Sequence, residues 1–148
     1  MRFRILALTL IGLAAAGIFR STVRAQEATG STKTTWDGVF TEAQSKRGQE
    51  VYLQECSNCH GSELEGMDMS PPLSGPAFTA GWNELSLGDL FERIRISMPA
   101  DRPGTLPREK NADAIAYILS FNKFPTGEAE LPHELPSLKM IQFIATKP

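Results

Sequence analysis

The only two cysteines of this 148-residue chain lie three positions apart, at Cys56 and Cys59, and His60 follows directly. This C-x-x-C-H pattern is the attachment signature of a c-type haem. Two thiols at this spacing on a helix end can each form a thioether with one haem vinyl group, and His60 is then carried beneath the iron as a ligand. The pattern therefore predicts one covalently bound haem, with the chain folded around it.

Three other uses of the cysteine pair compete with haem. A zinc site needs four ligands, and a single C-x-x-C supplies too few. A thioredoxin-like redox pair belongs near a βαβ pattern, which the sequence lacks. A plain disulfide between Cys56 and Cys59 leaves the long loops of the chain unexplained. Haem is the interpretation that the sequence favours.

A haem iron bound by one histidine has either an open sixth position or a second protein ligand. Met98 is the preferred candidate, because it lies 38 residues beyond His60, after a predicted helix, and is followed by the rigid Pro99. Met67 and Met69 are close to His60 in sequence and are interpreted as loop residues that fill irregular gaps. The remaining candidates lie in the C-terminal part of the chain: His133 and Met140.

Residues 1–25 have the order of a secretory signal: a basic start, an uncharged apolar run at 5–19, and small residues up to Ala25. The apolar run is shorter than the about 20 residues of a membrane-spanning helix. Cleavage after Ala25 and export, for example to the periplasm, are therefore expected. The alternative is an uncleaved anchor at 5–19, which Arg20 and Arg24 disfavour by the positive-inside bias.

Removal of residues 1–25 changes the charge of the chain. Four arginines and no acidic residue leave, so that the formal charge falls from −2 to −6. A nucleic-acid partner is disfavoured, because phosphate contacts need a basic surface. A basic or mixed-charge protein partner is compatible with this charge.

The remaining sequence predicts a mostly helical, single-domain protein. Helices are expected at 41–56, 86–96 and 107–121 from capping patterns and apolar spacing. The predicted domain covers 41–124, between a flexible lead-in at 26–40 and an extended or looped tail at 125–148, and the 59–81 segment reads as an irregular loop. Gly48, inside the first helix, suggests that another backbone passes close to it.

Further residues are candidates for contacts with the haem or its ligand. The carbonyl of Pro71 or Pro72 is placed to accept the second ring N–H of His60. The indole N–H of Trp82 could reach a haem propionate, although core packing is the commoner role of such a side chain. Four arginines could do the same, although a solvated surface position is the more probable for each: Arg93, Arg95, Arg102 and Arg108.

With these motifs in this order, the chain resembles the class I cytochromes c over residues 41–124. The resembling pieces are the Gly48–Tyr52 pair, the haem box at 56–60, the 96–99 segment around Met98, and the 113–119 segment. The resemblance implies an all-α fold of three or more helices with long loops, whose last helix crosses the first near Gly48. It also implies that Pro72 supplies the carbonyl that meets His60.

A narrower likeness involves the 38–44, 71–75 and 116–119 segments. These resemble exported monohaem cytochromes associated with quinoprotein (PQQ-dependent) dehydrogenases. The likeness implies redox protein partners, such as a quinoprotein dehydrogenase or a terminal oxidase.

Three functions follow from these observations. The first is a non-enzymatic carrier of single electrons through a haem with His60 and Met98 as ligands. The second is a haem enzyme or gas-binding protein with an open sixth site. The third is a cytochrome subunit of a dehydrogenase or membrane complex, docked through the 131–144 segment, although a tail that covers its own core is the more probable role of that segment.

Overall fold

The computed structural model describes residues 33–148. The predicted signal segment at 1–25 and the first part of the predicted lead-in, 26–32, lie outside the described residues. Across residues 33–148, no helix combines the length and the apolar character needed to span a bilayer.

Helices form most of the regular structure in the described residues, which confirms the predicted all-α fold class. The three longest helices, α1, α4 and α5, lie within one or two residues of the predicted ones. The elements in chain order are β1 Lys33–Thr34, α1 Glu42–Glu55, α2 Ser57–His60, α3 Gly75–Trp82, α4 Leu87–Ser97, α5 Arg108–Phe121, α6 Leu135–Lys139 and β2 Ile141–Gln142.

Helices α1 and α5 cross in direct backbone contact at Gly48. A Cβ atom at this position would lie 1.8 Å from the carbonyl oxygen of Asp113. Next to the crossing, the rings of Tyr52 and Tyr117 pack with their centroids 5.4 Å apart. The prediction that another backbone approaches Gly48 is therefore confirmed, and the crossing fixes the end of α1 that carries the cysteines.

Helix α4 begins and ends as its sequence predicts. The hydroxyl of Ser86 accepts the backbone N–H of Asp89 at 3.1 Å, and the Asp89 carboxylate accepts the backbone N–H of Ser86 at 2.9 Å. At the other end, the N–H of Met98 donates to the carbonyl of Ile94 at 2.8 Å, and Met98 itself is extended, as a residue before Pro99 must be. The capping box and the proline thus determine where Met98 is presented.

The predicted loop at 59–81 is helical in its second half, where α3 forms. Ser74 stands at the N-cap position and Pro76 in the first turn, where a missing N–H costs nothing. Phe78 and Trp82, one turn apart, pack against each other with ring centroids at 6.4 Å. The absence of a helix was a wrong prediction, because the glycines of this segment hide the spacing of its two aromatic residues.

Residues 33–40 are packed, although the sequence predicts a flexible lead-in at 26–40. Strand β1 pairs in parallel with β2 from the tail. The indole N–H of Trp36 donates to the carbonyl of Ile144 at 2.8 Å, and Thr35 and Phe40 are fully buried. Polar threonines that look like linker in the sequence instead hydrogen bond to the tail backbone.

The tail at 125–148 covers the core of its own chain. Four of its apolar side chains are at most 5% exposed: Leu131, Leu138, Ile141 and Phe143. In addition, Lys139 donates to the carboxylate of Asp89, and together with Ser86 it lowers the pKa of Asp89 to about 2. Asp89 is therefore ionised at neutral pH, and the contact between α6 and α4 persists there.

The side chain of Gln44 joins α1 to the tail. Its amide donates to the carbonyl of Leu131 at 3.0 Å and accepts the N–H of the same residue at 2.7 Å. The Thr41 hydroxyl caps the helix by accepting the Gln44 backbone N–H at 3.1 Å, so the predicted cap is present. However, the Gln44 side chain does not return to the cap, because it is fully committed to Leu131.

Substitution of Gln44 by alanine is expected to lower the free energy of unfolding by about 2–4 kcal/mol. The change leaves both backbone groups of buried Leu131 without a partner, and each such group costs roughly 1–3 kcal/mol. Chemical denaturation followed by circular dichroism would measure the loss. The matched control is Gln54→Ala on the exposed face of the same helix, which should change stability by less than about 0.5 kcal/mol. Equal effects of the two substitutions would contradict the role given to Gln44.

Candidate haem site

The 56–60 segment forms a short helical turn, α2, directly after α1. The backbone N–H groups of Cys59 and His60 both donate to the carbonyl of Cys56, at 3.1 and 3.0 Å. The two thiols therefore lie one turn apart and are not bonded to each other. Cys56 is partly buried and Cys59 is exposed, as expected where a large group attaches at the surface of a fold.

His60 is buried, at 7% exposure, and its ring is held by one hydrogen bond. Its Nδ1 lies 2.8 Å from the carbonyl oxygen of Pro71. A carbonyl can only accept, so Nδ1 carries the proton and Nε2 keeps its lone pair free. This is the tautomer that a metal-binding imidazole requires.

The carbonyl that meets His60 belongs to Pro71, not to Pro72 as the resemblance implies. Between His60 and Pro71 the chain makes a tight turn. In this turn the N–H of Met67 donates to the carbonyl of Ser70 at 3.1 Å, and the N–H of Ser70 donates to the carbonyl of Met67 at 2.7 Å. This turn closes one residue before Pro71 and brings the Pro71 carbonyl back to the ring. Pro72, the next residue, is exposed.

Two further hydrogen bonds fix the position of His60, and neither was predicted from the sequence. The hydroxyl of Tyr52 donates to the carbonyl of Gly61 at 2.7 Å, and the N–H of Gly66 donates to the carbonyl of His60 at 2.8 Å. Burial raises the pKa of Tyr52, so its hydroxyl remains a donor at any physiological pH. The available signal was the position of Tyr52, one helical turn before Cys56.

The state of the thiols disfavours the competing uses of the C-x-x-C pair. Burial, together with the charge of Glu55, raises the pKa of Cys56 to about 11. A redox-active dithiol needs the opposite shift, because the thiolate is the reactive form. Within residues 33–148, no three side chains of the His, Cys, Asp and Glu types are grouped to hold a metal ion.

The residues present fit a covalently attached haem. The thiols stand one turn apart, and His60 adjoins them with Nε2 free and its ring orientation fixed by the Pro71 carbonyl. A haem that is attached through two vinyl groups and bound through its iron uses both features together. The site therefore matches the haem predicted from the sequence.

Comparison with known proteins decides the family. The model described as cytochrome C oxidase, cbb3-type, subunit III, matches residues 43–118, more than half of the chain. The chain belongs to the class I c-type cytochromes. Among curated proteins, cytochrome c-551 of Bacillus subtilis (strain 168) is 33% identical over 91 residues, which cover 58% of this chain and 70% of that protein.

A solved structure is also similar to this cytochrome. It is a chain of the sulfane dehydrogenase SoxCD from Paracoccus pantotrophus, at 20% identity and a TM-score of 0.48. The match covers 87% of this chain and 68% of the other. The family assignment rests on the two preceding matches, and that family carries covalently bound haem c and serves in electron transport.

The candidate sixth ligands differ in their exposure. Met98 is partly buried where α4 ends. The other methionines are open to solvent: Met67 at 45%, Met69 at 96% and Met140 at 53% exposure. His133 lies in the tail with its Nε2 3.2 Å from the carboxylate of Glu134.

The residues predicted as possible hydrogen-bond donors to a haem propionate also differ in their contacts and exposure. Trp82 is partly buried against the core, and its indole N–H donates to no acceptor among the described residues. Three of the four arginines are committed to protein partners: Arg95 to Glu92, Arg102 to Glu55, and Arg108 to the carbonyl of His133. Arg93 is exposed.

Proposed function

We propose that this cytochrome is an exported carrier of single electrons in which Cys56 and Cys59 would hold the haem and His60 and Met98 would ligate its iron. The observation that carries the proposal is the hydrogen bond from His60 Nδ1 to the carbonyl of Pro71. It orients the ring and leaves the lone pair of Nε2 free to bind a metal. When bound, the haem supplies an iron that accepts and returns one electron by cycling between the ferric and ferrous states. The chain's own residues keep that group in one geometry.

The segment that carries His60 supports this role, because its hydrogen bonds hold it rigidly. Tyr52, Gly66 and Pro71 each fix one group of the 60–61 segment, so that the His60 ring has one allowed position. A fixed ligand changes little in geometry between two oxidation states. Electron transfer then needs little movement of the protein.

The assignment of Met98 is supported by exposure and by local backbone. It is the partly buried methionine among the described candidates, and both α4 and Pro99 restrict it. A thioether ligand paired with histidine raises the reduction potential of a haem. A held thioether also closes the sixth position to small ligands, which suits a carrier better than an enzyme.

Trp82 extends the proposed site. Its side chain is partly buried, and its indole N–H donates to no protein group in the described part of the chain, so it is available to a bound group. We assign it a haem propionate as acceptor. In the proposed set, Pro71 replaces Pro72 as the residue whose carbonyl accepts the Nδ1–H of His60.

Redox proteins are the proposed partners. The matched family is described by the name of an oxidase subunit, which supports a terminal oxidase as electron acceptor. A quinoprotein dehydrogenase remains the proposed donor from the narrower likeness of the sequence. The formal charge of −6 without residues 1–25 favours partners with basic surfaces.

Carbon monoxide binding to the reduced protein tests the carrier function. We expect no fast binding, and a ferric spectrum with the weak far-red band of a sulfur–iron bond. The matched reference is Met98→Ala, in which carbon monoxide should bind rapidly. Rapid binding to the unaltered protein would instead indicate an open sixth site, and with it a haem enzyme or gas-binding protein.

A further inference from the structure

An ion pair connects the two segments that carry the proposed haem ligands. The Nη2 group of Arg102 donates to the carboxylate of Glu55 across 47 positions of sequence. Glu55 is the last residue of α1 and precedes Cys56 directly. Arg102 lies four residues beyond Met98, so the pair joins the end of α1 that precedes Cys56 to the segment that follows Met98.

The pair is restrained at both of its ends. The Glu55 side chain is only 19% exposed, while that of Arg102 is 47% exposed. The backbone N–H of Arg102 donates to the carbonyl of Pro99 at 3.0 Å, and the Thr105 hydroxyl donates to the carbonyl of Arg102 at 2.8 Å. The position of the guanidinium is therefore connected through a hydrogen-bonded turn to Pro99, the neighbour of Met98.

The 98–106 segment, which we name the distal loop, is packed near its two ends, and Pro99 is buried close to the first of them. Its far end is packed in a small apolar cluster of Leu106 with Val51 and Ala114. Among residues 33–148, the bond from Arg102 to Glu55 is the one side-chain hydrogen bond from the distal loop to another element. The middle of the loop thus depends on this pair for its position.

We propose that Glu55 and Arg102 form a latch that holds the distal loop against the end of α1 and so slows the departure of Met98 from the iron. Both are positioning residues, because they act through Met98 and not on the haem. The proposal rests on the ligand assignment made above. It predicts that the rate of ligand replacement, and not the identity of the ligand, depends on the pair.

The test measures the replacement of Met98 by added imidazole in the ferric protein. At saturating imidazole, stopped-flow absorbance follows the loss of the far-red band. Glu55→Gln and Arg102→Gln should each accelerate this loss about three- to fivefold, the size expected of one partly exposed ion pair. The double substitution should accelerate it no more than either single one, because both remove the same contact.

Two control substitutions separate the latch from general charge effects. Glu42→Gln breaks the exposed pair with Lys46 on the same helix, and Asp101→Asn removes the carboxylate 3.6 Å from Arg102 while leaving Glu55 in place. Both should leave the rate unchanged. Added salt should bring the rate of the unaltered protein towards that of the Glu55→Gln protein.

Each failure has its own signature. Rates for Glu55→Gln and Arg102→Gln equal to the unaltered rate would overturn the latch, as would equal acceleration by Glu42→Gln. If Arg102→Gln does not fold, Arg102→Lys, which keeps the charge, is measured in its place. Glu55→Gln then decides the question, and an unaltered rate in that protein would overturn the latch. A far-red band that survives Met98→Ala would instead overturn the ligand assignment itself.

Discussion

Replacement of Met98 by alanine is expected to abolish the far-red band of the ferric cytochrome and to lower its reduction potential by on the order of 0.2 V. A thioether ligand favours the ferrous state, and water, which would take its place, favours the ferric state. Optical spectra combined with a redox titration measure both effects. Because Met98 lies at the end of α4 and not in the fully buried core, the covalent haem content should be retained.

The matched controls are the exposed methionines. Met140→Ala and Met69→Ala remove the same thioether from positions at 53% and 96% exposure. Each should leave the band and the potential as they are. A protein that loses the band through one of these substitutions, and keeps it in Met98→Ala, would show that the ligand has been assigned wrongly.

Gly48→Ala is expected to lower the free energy of unfolding by at least about 3 kcal/mol. The added Cβ would lie 1.8 Å from the carbonyl oxygen of Asp113 and 2.5 Å from its carbon. Both are backbone atoms, so α1 and α5 must move apart, and the buried pair of Tyr52 and Tyr117 between them loses its packing. Thermal or denaturant unfolding measures the loss.

Gly81→Ala provides the control for this substitution. Gly81 is also helical, in α3, but a Cβ there meets no atom within 4 Å. Alanine is the better helix former, so a gain of about 0.5–1 kcal/mol is expected. Similar losses at Gly48 and Gly81 would mean that helix propensity, and not the crossing, determines the effect.

The sequence predicts the parts of this fold whose information is local. Helices α1, α4 and α5 have an apolar face and recognisable ends, such as the box formed by Ser86 and Asp89. The haem box at 56–60 is equally local, since its chemistry is contained in five consecutive residues. Gly48 is an exception. A glycine inside a helix lowers the stability of that helix, and this local cost indicates a contact with a residue that is distant in sequence.

The parts that were not predicted depend on contacts between distant residues. The threonines at 34 and 35 have the composition of a linker, and only pairing with the tail makes them structural. The bonds from Gln44 to Leu131 span 87 positions, and nothing in the local sequence indicates them. Helix α3 forms because the packing of Phe78 and Trp82 against the core outweighs the helix-destabilising effect of its two glycines.

The site divides in the same way. The identity of Cys56, Cys59 and His60 follows from spacing alone, whereas the choice between Pro71 and Pro72 depends on where the 67–70 turn closes. A shift of one residue in such a turn has no signature in the sequence. The ligand role of Met98 remains a prediction that the Met98→Ala spectrum decides.

Covalent attachment of haem is the most direct test of the account. The full chain, produced in a host that attaches haem to exported proteins, is denatured and run on a gel stained for haem, and its mass is measured. We expect the stain to remain with the polypeptide and the mass to exceed that of the protein by one haem, whereas the combined Cys56→Ser and Cys59→Ser protein should retain none. A polypeptide without attached haem, or attachment that survives the loss of both cysteines, would contradict the account.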